Sequence, residues 1–78
     1  MADALLSIGD IAHRAAVPTS TVRYYERRGL VLPDAWESGQ RRYSEATVRR
    51  LVFIGMLQDA GLSLDDITGV LGAGHAAE

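Results

Sequence analysis

Ser20, Arg23, Tyr24 and Arg27 fall at i, i+3, i+4 and i+7. That is the spacing of one face of a helix. Such a face would present two guanidiniums, a phenol and a hydroxyl, and nothing that gains from burial. A guanidinium holds a phosphate or a guanine edge through paired hydrogen bonds. Hydroxyls bond phosphate oxygens and fix register. Val22, Tyr25 and Glu26 share another side of the same segment, with Tyr25 expected in the core and only its hydroxyl reaching out. A second basic run, Gln40-Arg41-Arg42-Tyr43, follows a loop, and Arg49 and Arg50 come later. That last pair reads equally as phosphate contacts or as a solvated face.

Other chemistry is missing. The chain has no cysteine, so no disulfide, thiolate metal site or redox thiol is expected. His13 and His75 lack partners at ligand spacing, so neither a metal nor a cofactor is expected. No nucleophile stands beside a base, which argues against an enzyme. Glu26 is expected to pair with and orient a nearby arginine, not to act as a catalytic acid.

The chain has 78 residues, with 8 basic and 10 acidic side chains and a net charge of −2. The length suits one small domain. Net charge says nothing about where charges sit. All eight basic residues are arginines lying between positions 13 and 50, against Glu26, Asp34, Glu37 and Glu45. The middle of the chain is therefore basic and the last third acidic. No apolar run approaches the roughly 18 residues that a membrane span needs. The first residues lack the pattern of a secretion signal, so a cytoplasmic location is expected.

Four helices and a ribbon must position these groups. Ser7 precedes an apolar pattern at Ile8, Ile11, Ala12 and Ala15 and has Asp10 three residues on, which predicts a capped helix to about Ala16. Pro18 breaks it, and Thr19 is read as the cap of a second helix, about Ser20 to Arg28, stopped by Gly29. Leu30-Val31-Leu32 reads as a short strand pairing with Arg41-Arg42-Tyr43. Asp34 to Gln40 reads as the loop between them, with Ser38-Gly39 as the turn signal. Ser44 caps a third helix, about Glu45 to Ala60, with Leu51, Ile54 and Leu57 as its core stripe and Val48 alongside. Ser63, with Asp66 three residues on, caps a fourth, about Leu64 to Leu71, whose inward face is Leu64, Ile67 and Leu71. Residues 1–6 are expected to be a disordered N-terminus, 7–72 the domain and 73–78 a flexible tail.

Two short helices joined by a tight turn and followed by a ribbon form a winged helix-turn-helix, a mainly α fold suited to the major groove. Three runs then resemble one family: Ser7-Ile8-Gly9-Asp10-Ile11-Ala12; Thr21-Val22-Arg23-Tyr24-Tyr25-Glu26-Arg27-Arg28-Gly29-Leu30; and Gly39-Gln40-Arg41-Arg42-Tyr43-Ser44. They look like the DNA-binding domain of MerR-type transcription regulators. Gly61-Leu62-Ser63-Leu64-Asp65-Asp66-Ile67 extends the likeness, which covers about residues 7–71. It implies that the second helix enters the major groove of promoter DNA. It also implies that Arg23 and Tyr24 meet bases and phosphates, and that Tyr25, Arg41, Arg42 and Tyr43 grip the backbone. With the exposed helical stripe and its neighbours, the candidate contacts are Thr19, Ser20, Thr21, Arg23, Tyr24, Tyr25, Arg27, Gln40, Arg41, Arg42 and Tyr43.

The resemblance also implies a coiled-coil dimerisation helix and an effector segment beyond this domain, neither of which is in the sequence. A homodimer is expected only with that helix; otherwise the chain is a monomer or self-associates weakly. RNA polymerase is expected to be engaged indirectly, by the intact regulator. Val52, Phe53 and Met56 lie off the core stripe and are expected to form a partly exposed patch for a partner helix. Trp36 is expected to fold back on Pro33 and Val31, the alternative being the sugar–phosphate backbone. Gly55, inside the third helix, is expected to mark a close approach by another element. Two other readings remain: an excisionase-like architectural DNA-binding factor, and a protein-interaction module using the third-helix patch.

Overall fold

A computed structural model describes residues 5–72. The expected tail at 73–78, His75 and the first four residues lie outside that range. Helix α1 spans Ile8–Ala15 and α2 spans Thr19–Arg27. A hairpin follows, β1 Ala35–Glu37 and β2 Gln40–Arg42. Then come α3, Glu45–Asp59, and the short α4, Leu64–Ile67, which runs on as a π-helical turn over Thr68–Gly72.

Local chemistry explains most of these boundaries. Ser7 Oγ accepts the Asp10 N–H at 3.1 Å while Asp10 Oδ2 accepts the Ser7 N–H at 3.3 Å, a reciprocal capping box. Ser63 and Asp66 repeat it on α4, at 3.1 and 3.2 Å. Thr19 is not a cap: Pro18 holds that position and Thr19 is the first helical residue. Proline already lacks the N–H that a first turn leaves unsatisfied, and its fixed φ suits the entry of a helix. Between α1 and α2 the chain turns through Ala16, which takes left-handed angles (φ 60°, ψ 43°).

The ribbon differs from the sequence expectation. Leu30 and Val31 form no strand; both are buried. A strand would turn adjacent side chains to opposite faces, whereas here both enter one core. The hairpin instead pairs Ala35 with Arg42, Trp36 with Arg41 and Glu37 with Gln40, closing on the two residues Ser38 and Gly39. Both have positive φ, 52° and 77°, the requirement of a type I′ turn, whose twist matches the flanking strands. Part of the expected loop is therefore β1. Leu6 forms an antiparallel bridge to Tyr43, with N–H···O distances of 2.7 and 2.8 Å, so it belongs with the domain and not with a disordered end.

The core gathers residues from the four helices and from the segments flanking the hairpin: Ile11 and Ala12, Val22 and Tyr25, Leu30 and Val31, Tyr43, Leu51 and Ile54, and Ile67. Leu57, Val48, Leu64 and Leu71 pack against it. The core therefore holds α1, α2 and α3 as one body and leaves the polar side of α2 outside.

Candidate nucleic-acid interface

Burial of Val22 and Tyr25 fixes the rotation of α2. With those two inward, Ser20, Arg23, Tyr24 and Arg27 are all exposed. Tyr25 is only 6% exposed, and its hydroxyl donates to Gln58 Oε1 on α3 at 3.0 Å. Burial, and then the neighbouring Tyr24, push its phenol above the ordinary tyrosine pKa. Tyr25 therefore ties α2 to α3, with its ring in the core as expected and its hydroxyl bonded to Gln58. Thr19 and Thr21 are half-buried at the start of α2.

Tyr24 is flanked by two cations, Arg27 and Arg28, at 5.8 and 5.9 Å from the ring centre. Within about 6 Å a cation over an aromatic face is attracted to it. Arg28 is itself anchored. It donates to Asp65 of α4 at 2.6 Å and to the Tyr24 hydroxyl at 3.2 Å.

The wing brings a second set of groups to the same side. Arg23, Glu26, Arg27 and Arg41 line one open depression between α2 and the hairpin. Glu26 carries the pairing expected of it: its Oε1 lies 3.1 Å from Arg41 Nε. Its other oxygen accepts the Tyr43 hydroxyl. Tyr43, expected at the DNA backbone, is 0% exposed and lies inside the domain. The Leu6 bridge and the core enclose the ring, and the hydroxyl is spent on Glu26. Burial and that carboxylate hold the phenol far above the usual tyrosine range, so it remains a donor.

Trp36 does not fold back on Pro33 and Val31. It is 60% exposed, and the Arg41 guanidinium stacks 4.9 Å from its ring centre. Trp36 and Arg41 are cross-strand partners, so the stack follows from the register. Reading Ser38-Gly39 as a two-residue hairpin turn would have disclosed it. Arg42 is half-buried, 3.5 Å from Glu37, and Gln40 is exposed at the hairpin turn.

Of the two later arginines, Arg49 is exposed whereas Arg50 bonds the Leu30 carbonyl. Arg50 thus anchors the turn after α2. Val52, Phe53 and Met56 are exposed on α3, as expected. The close approach expected at Gly55 is not there, since a Cβ would meet nothing within 4 Å. Among the described residues no cluster of three or more metal-ligating side chains occurs.

Comparison with known proteins gives a consistent picture. A family model described as MerR HTH family regulatory protein matches residues 6–73. A mercuric resistance operon regulatory protein of Bacillus cereus is 46% identical over 66 residues, covering 83% of this chain and 50% of that protein. A transcriptional activator SoxR homolog of Chromobacterium violaceum is 38% identical over 71 residues, covering 91% and 48%. Among solved structures, a lead(II)-bound transcription regulator from Ralstonia metallidurans superposes with a TM-score of 0.81 at 32% identity, covering 94% of this chain and 58% of that one. A regulator lacking the sensor domain, bound to promoter DNA, shares the fold at a TM-score of 0.78 and 23% identity, covering 88% and 56%. The chain spans about half the length of the curated relatives it matches.

Proposed function

The chain belongs to the MerR family of regulatory proteins, as its winged helix-turn-helix DNA-binding domain, and we propose that it reads duplex operator DNA through α2 and the wing. Its relatives are transcription regulators, not enzymes. Family membership across nearly the whole fold does not favour the excisionase-like reading or the interaction module.

One observation carries the proposal. Arg23 and Arg27 of the unburied α2 stripe and the wing arginine Arg41 open onto the same depression. In the proposed complex α2 lies in the major groove, with Arg23 at a base edge and Ser20, Tyr24 and Arg27 at phosphates. Thr19 and Thr21 sit at the helix N-terminus, where backbone N–H groups favour a phosphate. Gln40, Arg41 and Arg42 follow the adjacent backbone. Tyr25 and Tyr43 serve from within, by holding α2 and β2 in place.

The wider setting is proposed on the same basis. The partner is promoter DNA, and RNA polymerase is engaged only through the intact regulator. A homodimer forms where a coiled-coil helix joins two such domains, and the domain alone stays monomeric or self-associates weakly. Val52, Phe53 and Met56 then meet a partner helix. No described helix is long and apolar enough to cross a membrane, which suits the proposed cytoplasmic setting.

The test is a titration of labelled duplex with wild type and Arg23→Ala at two salt concentrations. A bidentate base contact predicts a loss of about 1–3 kcal/mol together with relaxed sequence preference. A lone domain, without a linked second half-site, predicts weak binding, and its phosphate contacts predict a steep fall with salt. Equal affinity of both proteins at both salts would defeat the reading.

A further inference from the structure

An acid stands among the arginines of the proposed DNA-facing depression. By charge alone Glu26 should oppose a phosphate, because charges within a Debye length of about 10 Å at 0.1 M salt still feel each other. Its geometry points to a different role. The side chain is only 11% exposed and both oxygens are engaged, Oε1 by Arg41 Nε at 3.1 Å and Oε2 by the Tyr43 hydroxyl.

Glu26 thus joins three elements. It lies on α2, one turn or less from Arg23 and Arg27. Arg41 is on β2. Tyr43 is fixed in the core and bonded through its backbone to Leu6. Arg41 is held on one edge by Glu26 and across its plane by the Trp36 ring, 4.9 Å away. Glu26 meets Arg41 at Nε, as an ion pair, so the two terminal nitrogens are left for a ligand. A guanidinium clamped in this way presents its remaining donors in a set direction, with the ordering entropy already spent before DNA arrives.

We propose that Glu26 is a specificity-determining positioning residue: it aims Arg41 in register with the exposed face of α2. This rests on the DNA-reading proposal above. It makes a prediction opposite in sign to simple charge. Glu26→Gln makes the protein more positive, so non-specific binding to any duplex rises. Gln loses the charge that pairs with Arg41 and keeps one acceptor oxygen, so it cannot meet Arg41 and Tyr43 through two separate oxygens as the carboxylate does. Specific binding then falls relative to non-specific binding.

The experiment uses the 78-residue chain. Wild type first enriches a duplex from a randomised pool. The enriched duplex and its scrambled sequence are then titrated with wild type, Glu26→Gln, Arg41→Ala and the double variant. The expected ratio of specific to non-specific affinity falls about twofold to fivefold in Glu26→Gln, the worth of one partly exposed ion pair. In the Arg41→Ala background the same change leaves the ratio unaltered. A role in stability alone would not produce that dependence on Arg41. Should Glu26→Gln fold poorly, Arg41→Lys keeps the charge, loses the planar fork and leaves the Tyr43–Glu26 bond intact; it is expected to lower the ratio by a similar factor. A ratio unchanged or raised in Glu26→Gln, or unchanged in Arg41→Lys, overturns the positioning role while leaving DNA reading in place. Failure of wild type to enrich any duplex overturns both.

Discussion

Replacing Gly55 by alanine should stabilise the domain. Gly55 lies in the interior of α3, a helix of 15 residues, and is absent from the positive-φ positions. A Cβ built there meets nothing within 4 Å, so the new methyl neither clashes nor fills a hole. What remains is the helix propensity difference, about 0.8–1.0 kcal/mol in favour of alanine. For a domain of this size 1 kcal/mol raises Tm by about 4–8 °C. With m in urea of about 1 kcal/mol/M, the midpoint moves up by roughly 1 M. Far-ultraviolet circular dichroism across a urea series measures it, and m should not change. Gly61→Ala is the control. Gly61 also has open space around it but sits at φ 103°, where a side chain is strained, so that change should destabilise. A midpoint for Gly55→Ala at or below that of wild type, with m unchanged, would refute the reasoning and show that a neighbour packs against the α3 backbone at that point.

Tyr43→Phe should cost about 1.5–3 kcal/mol, the range for a hydrogen bond to a charged acceptor, read as a lower urea midpoint. The same group predicts alkaline sensitivity. Its folded pKa is raised above the ordinary 10.0 by burial and by Glu26, so its contribution is complete below about pH 10 and is lost as pH rises beyond it. Tyr43→Phe should flatten the stability profile in that range, and a profile as steep as that of wild type would rule out Tyr43 as the cause. Ser63→Ala removes one half of the capping box on a four-residue helix. It should cost about 1 kcal/mol, and native-state hydrogen exchange should show faster opening at Asp66 and Ile67 than in α1.

Much of the architecture was legible because it depends on neighbours in the chain. Both Ser-x-x-Asp boxes close within a single turn, so Ser7 and Ser63 marked their helices unaided. The rotation of α2 followed from Val22 and Tyr25 against Ser20, Arg23, Tyr24 and Arg27. The hairpin was misplaced because Leu30 and Val31 have strand-like side chains. Their fate depends on the core formed by Ile11, Leu51 and Ile54, which local propensity does not contain. The place of Trp36 was not legible for the same reason: its partner Arg41 is set by register.

By itself the sequence determined the order of the elements, the polar face of α2 and the concentration of arginines between positions 13 and 50. Periodicity and capping are short-range, and charge is counted without regard to shape. Tertiary structure alone decided which polar groups of the wing and of α3 face outward. Arg-Arg-Tyr in the wing looks like three contacts, yet Tyr43 is enclosed and turned toward Glu26, Arg41 is clamped between Glu26 and Trp36, and Arg42 leans toward Glu37. Among the later arginines Arg50 is drawn to the Leu30 carbonyl while Arg49 stays exposed. Burial and ion pairing depend on groups far apart in the chain meeting in space, and folding alone supplies that meeting.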